Sequence, residues 1–149
     1  MSYPFRKILS PVDFDDNSIA AVDVAGRVAH DNDGRVLLIH VIPIIIPPPG
    51  KPVYVNLDQG QEEVARARLD EIAEKRLRGV KYEILTKIGD PAGTILNIAR
   101  RRRADLIVMA THGRRGISRV LLGSVAETVL RAAPCPVLSV KEAMLKGIP

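Results

Sequence analysis

The sequence is poor in cysteine and in aromatic residues, and it has no long apolar run. Cys135 is the only cysteine, so neither an internal disulfide nor a thiolate metal cluster can form within one chain, which favours a reducing compartment. Nowhere do about 18 apolar residues follow one another, as a membrane span requires. The start, MSYPFRKIL, lacks the apolar stretch of a secretory signal. We therefore expect a cytoplasmic protein with no membrane partner.

The scarcity of aromatic residues also bears on nucleic-acid binding. A net charge of +5 attracts phosphate backbones, but single-stranded nucleic acid also needs aromatic rings on which bases stack. The aromatic residues are dispersed and none is interleaved with the basic run: Tyr3, Phe5, Phe14, Tyr54 and Tyr82. We interpret the basic surface as a solvated face and expect no nucleic-acid partner.

The length and composition indicate one globular domain. A chain of 149 residues with 46% hydrophobic and 26% charged residues can bury a core of its own. We expect a single domain over residues 1–149. Residues 43–60 are rich in proline and predict an irregular loop.

Hydrophobic patterning predicts five strands. Four segments rich in Val, Ile and Leu between turn residues are typical of strands buried on both faces of a parallel sheet, namely residues 7–12, 36–42, 106–110 and 136–140. Residues 80–86 alternate apolar and polar side chains, which predicts a half-exposed edge strand.

Helical periodicity and capping residues predict four helices between these strands. The predicted helices run from Asp15, Asp16 or Asn17 to about His30, from Val64 to Leu77 with Gly79 closing it, from Asp90 and Pro91 through Ala99, and from Ser124 to about Ala132. Arg100 to Arg103 then complement the negative end of the third helix. Alternating strands and helices predict right-handed crossovers and a three-layer, doubly wound α/β domain.

The segment MATHGRRGISRVLLGSVAE, after the fourth strand, is the candidate ligand-binding element. In open parallel sheets, ligands lie beyond the carboxyl ends of the strands. Gly113 and Gly116 let backbone amides close around phosphate oxygens, and Arg114 adds a cation. Gly123 and Ser124 stand at the start of a helix, where free amides and the helix dipole favour an anion. The pattern predicts a triphosphate site.

A capping box is the structural alternative for the same helix start. Ser124, Val125, Ala126 and Glu127 spell S-x-x-E, whose side chains would satisfy the first amides without any ligand. Spacing alone leaves both interpretations open, and the two are compatible in part.

The same segment resembles the signature of the universal stress protein family, G-x-x-G-x(9)-G-[ST]. Gly113, Gly123 and Ser124 match its last three fixed positions, whereas Ala110 stands where the ATP-binding branch carries glycine. The blocks KILSPVDF, LLIHVI, IGDPAGTIL, ADLIVMATHGRRG and APCPVLSV extend the resemblance over nearly the whole chain. It implies a five-stranded parallel sheet of order 3-2-1-4-5 with four helices.

The resemblance also implies an ATP site, with Mg²⁺ or Mn²⁺ bridging the phosphates. Its implied residues are Pro11, Val12 and Asp13 along the adenosine, Val41 at the base, Met109 and Ala110 at the ribose and phosphate entry, and Gly113, Arg114, Gly123, Ser124 and Val125 around the phosphates. The methyl group of Ala110 would cost about 1–3 kcal/mol of binding if it overpacks against the ligand.

The expected function is that of a nucleotide-binding regulatory module. The resemblance implies a homodimer that pairs through the last strand, and a protein partner of unknown identity. The chain has neither a Walker motif nor G-x-G-x-x-G, and no evident base to orient an attacking water. A slow ATPase or nucleotide-processing enzyme is the first alternative, and an interaction protein that does not bind ATP is the second.

Three adjacent isoleucines, residues 44–46, need cover if they lie in a loop. We hypothesise that they pack on a partner subunit or form a lid over the nucleotide site.

Overall fold

The protein is an α/β structure built on a parallel sheet. The computed structural model describes residues 4–44, 47–52, 59–111 and 123–141. The elements are β1 (Lys7–Pro11), α1 (Asp16–Asp31), β2 (Arg35–Pro43), α2 (Gln59–Arg76), β3 (Lys81–Gly89), α3 (Pro91–Arg101), β4 (Leu106–Ala110), α4 (Ser124–Ala132) and β5 (Val137–Val140). Every strand pairing is parallel, in the order β3-β2-β1-β4-β5. The predicted fold class and strand order are confirmed.

Polar caps fix where two of the helices begin. Asp15 is the N-cap of α1, and its side chain accepts from the amide of Asn17. Asp90 caps α3 by accepting from the Gly93 amide at 2.8 Å, and Pro91 occupies the first turn, where no amide donor is needed. Asp90 directly follows β3 and Asp15 lies four residues after the end of β1, so each crossover turns without a long loop.

Two apolar layers hold the helices on the sheet. The layer on one face joins α1 and α2 to the strands through Ala25, Leu69 and Val108. The layer on the other face joins α3 and α4 through Ile95 and Val129. Because both faces of the central strands are covered, β4 is a continuous apolar run, LIVMA, and β1 buries Ile8, Leu9 and Ser10 in succession.

Two predicted boundaries differ from the structure by three residues or more. β3 continues three residues past Thr86, because Lys87, Ile88 and Gly89 pair with the long strand β2. α2 begins at Gln59, inside the segment that we predicted to be irregular. Its first turn is polar and includes Glu62, which suits the positive end of the helix dipole but gives no apolar periodicity.

The rest of the predicted loop is only partly within the described residues. Ile44 is 46% exposed, whereas Ile45 and Ile46 lie outside the described residues, so the lid hypothesis stays a prediction. Among the helices that the structure describes, none has both the length and the apolar character of a membrane span.

Gly34, in the turn between α1 and β2, has no room for a side chain. A Cβ atom there would lie 2.6 Å from the carbonyl oxygen of Arg6 and 2.8 Å from its Cα. Gly34→Ala should therefore lower the free energy of unfolding by about 1–3 kcal/mol, because backbone must move. Gly26→Ala is the matched control: its Cβ would meet only the end of the Leu77 side chain, at 2.8 Å. The higher helix propensity of alanine, worth about 1 kcal/mol, offsets the energetic cost of that contact. Urea denaturation measures both, and equal stabilities of the two variants would contradict the prediction.

Candidate functional site

The turn after β1 presents Asp13 at the carboxyl edge of the sheet. Its amide donates to Ser18 Oγ at 3.2 Å, and its Oδ1 accepts from the amide of Asp15 at 2.9 Å. Within the part of the chain that the structure describes, Oδ2 has no hydrogen-bond partner. The half-buried carboxylate is thus fixed by one oxygen, and its other oxygen is unpaired among the described residues.

A cluster of two rings and a cation supports this turn from the α2 side. Phe14 has a φ of 67°, an uncommon conformation for a bulky residue. The guanidinium of Arg68 lies 4.0 Å from the centre of its ring, and the ring of His40 lies 4.4 Å away. His40 Nδ1 is 2.7 Å from the carbonyl oxygen of Val12, so this nitrogen carries the proton and donates. These contacts hold the Val12–Asp13 backbone in place.

The end of β4 is tied both to β5 and to the start of α4. Thr111 is buried, and its amide and hydroxyl both donate to the carbonyl of Val140, at 3.0 and 2.9 Å. Its own carbonyl accepts from the amide of Gly123 at 2.9 Å. Thr111 and Gly123 are therefore held together at the base of the segment between them, residues 112–122.

Among the residues that the structure describes, no side chain caps the first turn of α4. The N-cap is Gly123, so Ser124 already lies inside the helix, and the capping box that the sequence left open as an alternative does not form. Glu127 is consequently one residue too far along to reach back, and its carboxylate pairs with Arg131 at 2.8 Å instead. The first-turn amides keep their affinity for an anion, as the helix dipole favours.

The described candidate residues lie at one edge of the sheet, around the gap between β1 and β4 where the strand order reverses. Val41, Met109 and Val125 belong to one apolar cluster on the α3–α4 face. Val12 differs, because its side chain is 3% exposed in the opposite layer; only its backbone is at the edge.

The remaining candidate residues are at the strand ends and the start of α4. Pro11, Asp13 and Ala110 are half-buried at the carboxyl edge, and Gly123, Ser124 and Val125 begin α4. Gly113 and Arg114 lie outside the described residues.

Residues 4–141 match the model of the universal stress protein family. The chain belongs to this family. It is 37% identical over 145 residues to universal stress protein MJ0531 of Methanocaldococcus jannaschii, covering 93% of this chain and 83% of that protein. It is 34% identical over 139 residues to a universal stress protein of Thermus aquaticus, covering 92% and 99%.

Solved structures show the same fold. Protein MJ0577 of Methanocaldococcus jannaschii superposes with a TM-score of 0.79 at 29% identity, covering 93% of this chain and 97% of that one. A universal stress protein in complex with cAMP has a TM-score of 0.69 at 22% identity and 93% and 98% coverage. The Archaeoglobus fulgidus protein in complex with dAMP has a TM-score of 0.67 at 22% identity and 93% and 99% coverage.

Sequence reasoning missed three supporting residues of this universal stress protein. Ser18 holds the Asp13 amide, His40 holds the Val12 carbonyl, and Thr111 joins β4, β5 and α4. Each is a polar residue at a position that the local pattern predicts to be buried or half-buried. A polar side chain at such a position needs a hydrogen-bond partner, and this was the signal that could have identified the three residues.

Thr111 supplies a test of the base of the site. Thr111→Val should lower the free energy of unfolding by about 1 kcal/mol, through loss of a buried hydrogen bond. The Val140 carbonyl still accepts from the Thr111 amide, so the loss stays small. Thr128→Val is the control, because the Thr128 hydroxyl also donates to a backbone carbonyl, at 2.9 Å, but is exposed. Denaturation of both variants checks this, and an equal or larger effect at Thr128 would contradict it.

Proposed function

We propose that this universal stress protein binds ATP at the carboxyl edge between β1 and β4, and acts as a single-domain nucleotide-dependent regulator, with the stress role that its family name indicates. The observation that carries the proposal is the uncapped first turn of α4. Its amides stand next to Gly123, which Thr111 holds against the end of β4. Phosphate oxygens are the ligands that such a helix start accepts.

The adenosine half of the proposed site rests on two features. Val41, Met109 and Val125 share an apolar cluster beside the phosphate end, which suits a base. Asp13 keeps Oδ2 for a nucleoside donor. Structures of this fold in complex with cAMP and dAMP support an adenine nucleotide as the class of ligand.

Gly113 and Arg114 complete the proposal as the second phosphate-binding element. A divalent ion would be held mainly by the phosphates and by water, the usual mode for Mg²⁺. Among the described residues, no three His, Cys, Asp or Glu side chains are grouped as a metal cage, so Mg²⁺ or Mn²⁺ would enter together with ATP. Ala110 does not have a positive φ, so its methyl group acts only on the space left to the ligand.

Asp13→Asn tests the nucleoside contact. The amide oxygen can still accept from Asp15, but the charge is lost, so ATP affinity should fall about tenfold, the usual loss for a charge-assisted hydrogen bond. Asp16→Asn is the control, because it removes the same charge from an exposed position three residues along. Isothermal titration calorimetry measures both.

The calorimetry can also reject the proposal outright. No heat and no rise in melting temperature at millimolar ATP would contradict nucleotide binding. Equal effects of the two asparagine variants would contradict the role of Asp13 while leaving binding itself in place. Mass spectrometry of copurifying small molecules gives an independent reading.

We also propose a homodimer that pairs through β5. The two edge strands differ in charge: β3 exposes Lys81, Glu83 and Lys87 beside Tyr82 and Ile88, whereas the short strand β5 has no charged residue and exposes Leu138, at 40%. Leu130 on α4 adds a second exposed apolar side chain, at 39%. Charged side chains discourage pairing at a free edge, and apolar ones favour it.

Leu138→Lys should convert the dimer to a monomer, because a charge would be buried in the contact. Light scattering after size-exclusion chromatography measures the mass of each variant. Val64→Lys is the control, since Val64 is exposed on α2, away from β5. A dimer that survives Leu138→Lys, or a monomeric wild-type protein, would contradict this interface.

A further inference from the structure

A second concave site lies at the amino edge of the sheet, opposite the proposed nucleotide site. It is a groove of about 320 Å³ between the first residues of β1 and β2 and the end of α3. Its floor is apolar and includes Leu9, Leu37 and Ile98. Its rim is basic and is formed by Lys7, Arg35, Arg101, Arg102 and Arg103. We call this feature the basic groove.

The positive charge of the basic groove is largely unbalanced. Glu83 also lines it and forms a two-bond ion pair with Arg102, at 2.7 and 3.2 Å. The side chains of Lys7, Arg35, Arg101 and Arg103 make no hydrogen bond or ion pair to any residue that the structure describes. The nearby Asp105 carboxylate accepts from the backbone amides of Arg6 and Lys7. Clustered cations without counter-charges favour binding of an anion.

The backbone position of Arg103 strengthens this interpretation. After α3 the amide of Arg103 donates to the carbonyl of Arg100, and the amide of Ala104 donates to that of Ala99. This is the Schellman ending, in which glycine normally takes the left-handed position. Here Arg103 takes it, with a φ of 52°. At the corresponding position after α1 stands Asp33, a residue type that tolerates this conformation better. The chain thus carries a cation where helix ending alone would favour glycine.

We propose that the basic groove binds a small organic phosphate. The guanidinium groups of Arg101 and Arg103 hold the phosphate dianion, and the compact apolar body lies on Leu37 and Ala104, which are only half-buried. Guanidinium groups match phosphate geometry with paired hydrogen bonds. A groove of this volume is at the small end of ligand pockets, and its described lining has no aromatic ring on which a nucleic-acid base would stack.

Glu83 has a specific part in this proposal. Its carboxylate occupies the guanidinium of Arg102, so it competes with an incoming phosphate for that group. Removal of the Glu83 charge frees Arg102 and also removes a repulsive charge from the groove. A variant without this carboxylate should therefore bind the anion more tightly, whereas a merely structural ion pair would give no gain in affinity.

Phenyl phosphate is the probe for the test, because it combines a phosphate dianion with a compact apolar ring. In a titration followed by ¹H–¹⁵N correlation spectra, the amides of Lys7, Arg35 and Ala104 should shift along one binding curve. That curve should be distinct from any shift of Thr111 and Gly123 that phosphate causes at the proposed nucleotide site. Inorganic phosphate, which lacks the ring, should bind more weakly to the basic groove. Asp13→Asn should leave the curve of Lys7, Arg35 and Ala104 unchanged.

Three variants decide the outcome. Arg103→Gly should weaken binding about tenfold, with an unchanged or higher melting temperature, because glycine suits the left-handed position. Arg100→Gln removes the same charge from the same helix end, but Arg100 is not part of the basic groove, so affinity should stay within about twofold. Glu83→Gln should tighten binding.

The proposal is overturned if Arg100→Gln weakens binding as much as Arg103→Gly, which would indicate general attraction of anions. It is also overturned if Glu83→Gln gives no gain, or if no amide of the basic groove shifts at millimolar phenyl phosphate. Tighter binding of a single-stranded oligonucleotide, with equal losses in all arginine variants, would overturn it in favour of a nucleic-acid surface.

Discussion

The structure depends on the parallel pairing of β1 with two neighbours, β2 and β4. Parallel pairing places every strand start at one edge and every strand end at the other. Because helices cover both faces of the sheet, ligands can reach it where the strands start, at the amino edge, and where they end, at the carboxyl edge. Asp13 and the start of α4 come together at the carboxyl edge for this reason, although they are far apart in sequence.

The carboxyl edge and the amino edge present positive charge through different chemical groups. At the carboxyl edge, the backbone amides at the start of α4 carry the positive potential, and the turn after β1 holds the Asp13 carboxylate. At the amino edge, side chains of arginine and lysine carry it. Amide dipoles are rigid and directional, whereas guanidinium groups on long side chains adapt to several anions. One small fold can therefore offer two chemically different places for anionic ligands.

Much of the fold could be predicted from the sequence, because buried strands and capped helices leave strong local patterns. Asp90 with Pro91, and the apolar run of β4, gave correct boundaries. The extension of β3 was missed, although Ile88 continues the alternation of Tyr82 and Ile84; the pairing with the long strand β2, which the local pattern does not show, carries it to Gly89. The start of α4 could not be predicted either, because S-x-x-E is the same string whether the N-cap is Ser124, as a capping box requires, or Gly123, as the structure has it.

Thr111 has one more consequence. Its carbonyl accepts from Gly123, and its amide and hydroxyl donate to Val140, the last residue of β5. Three polar groups of one residue thus join the proposed phosphate end to the proposed dimer edge, without an intervening side chain. Thermodynamic linkage requires that any strengthening of subunit association by nucleotide be matched by equal strengthening of nucleotide binding by association. A single buried threonine would thus couple nucleotide binding at the proposed site to subunit association through the proposed β5 contact.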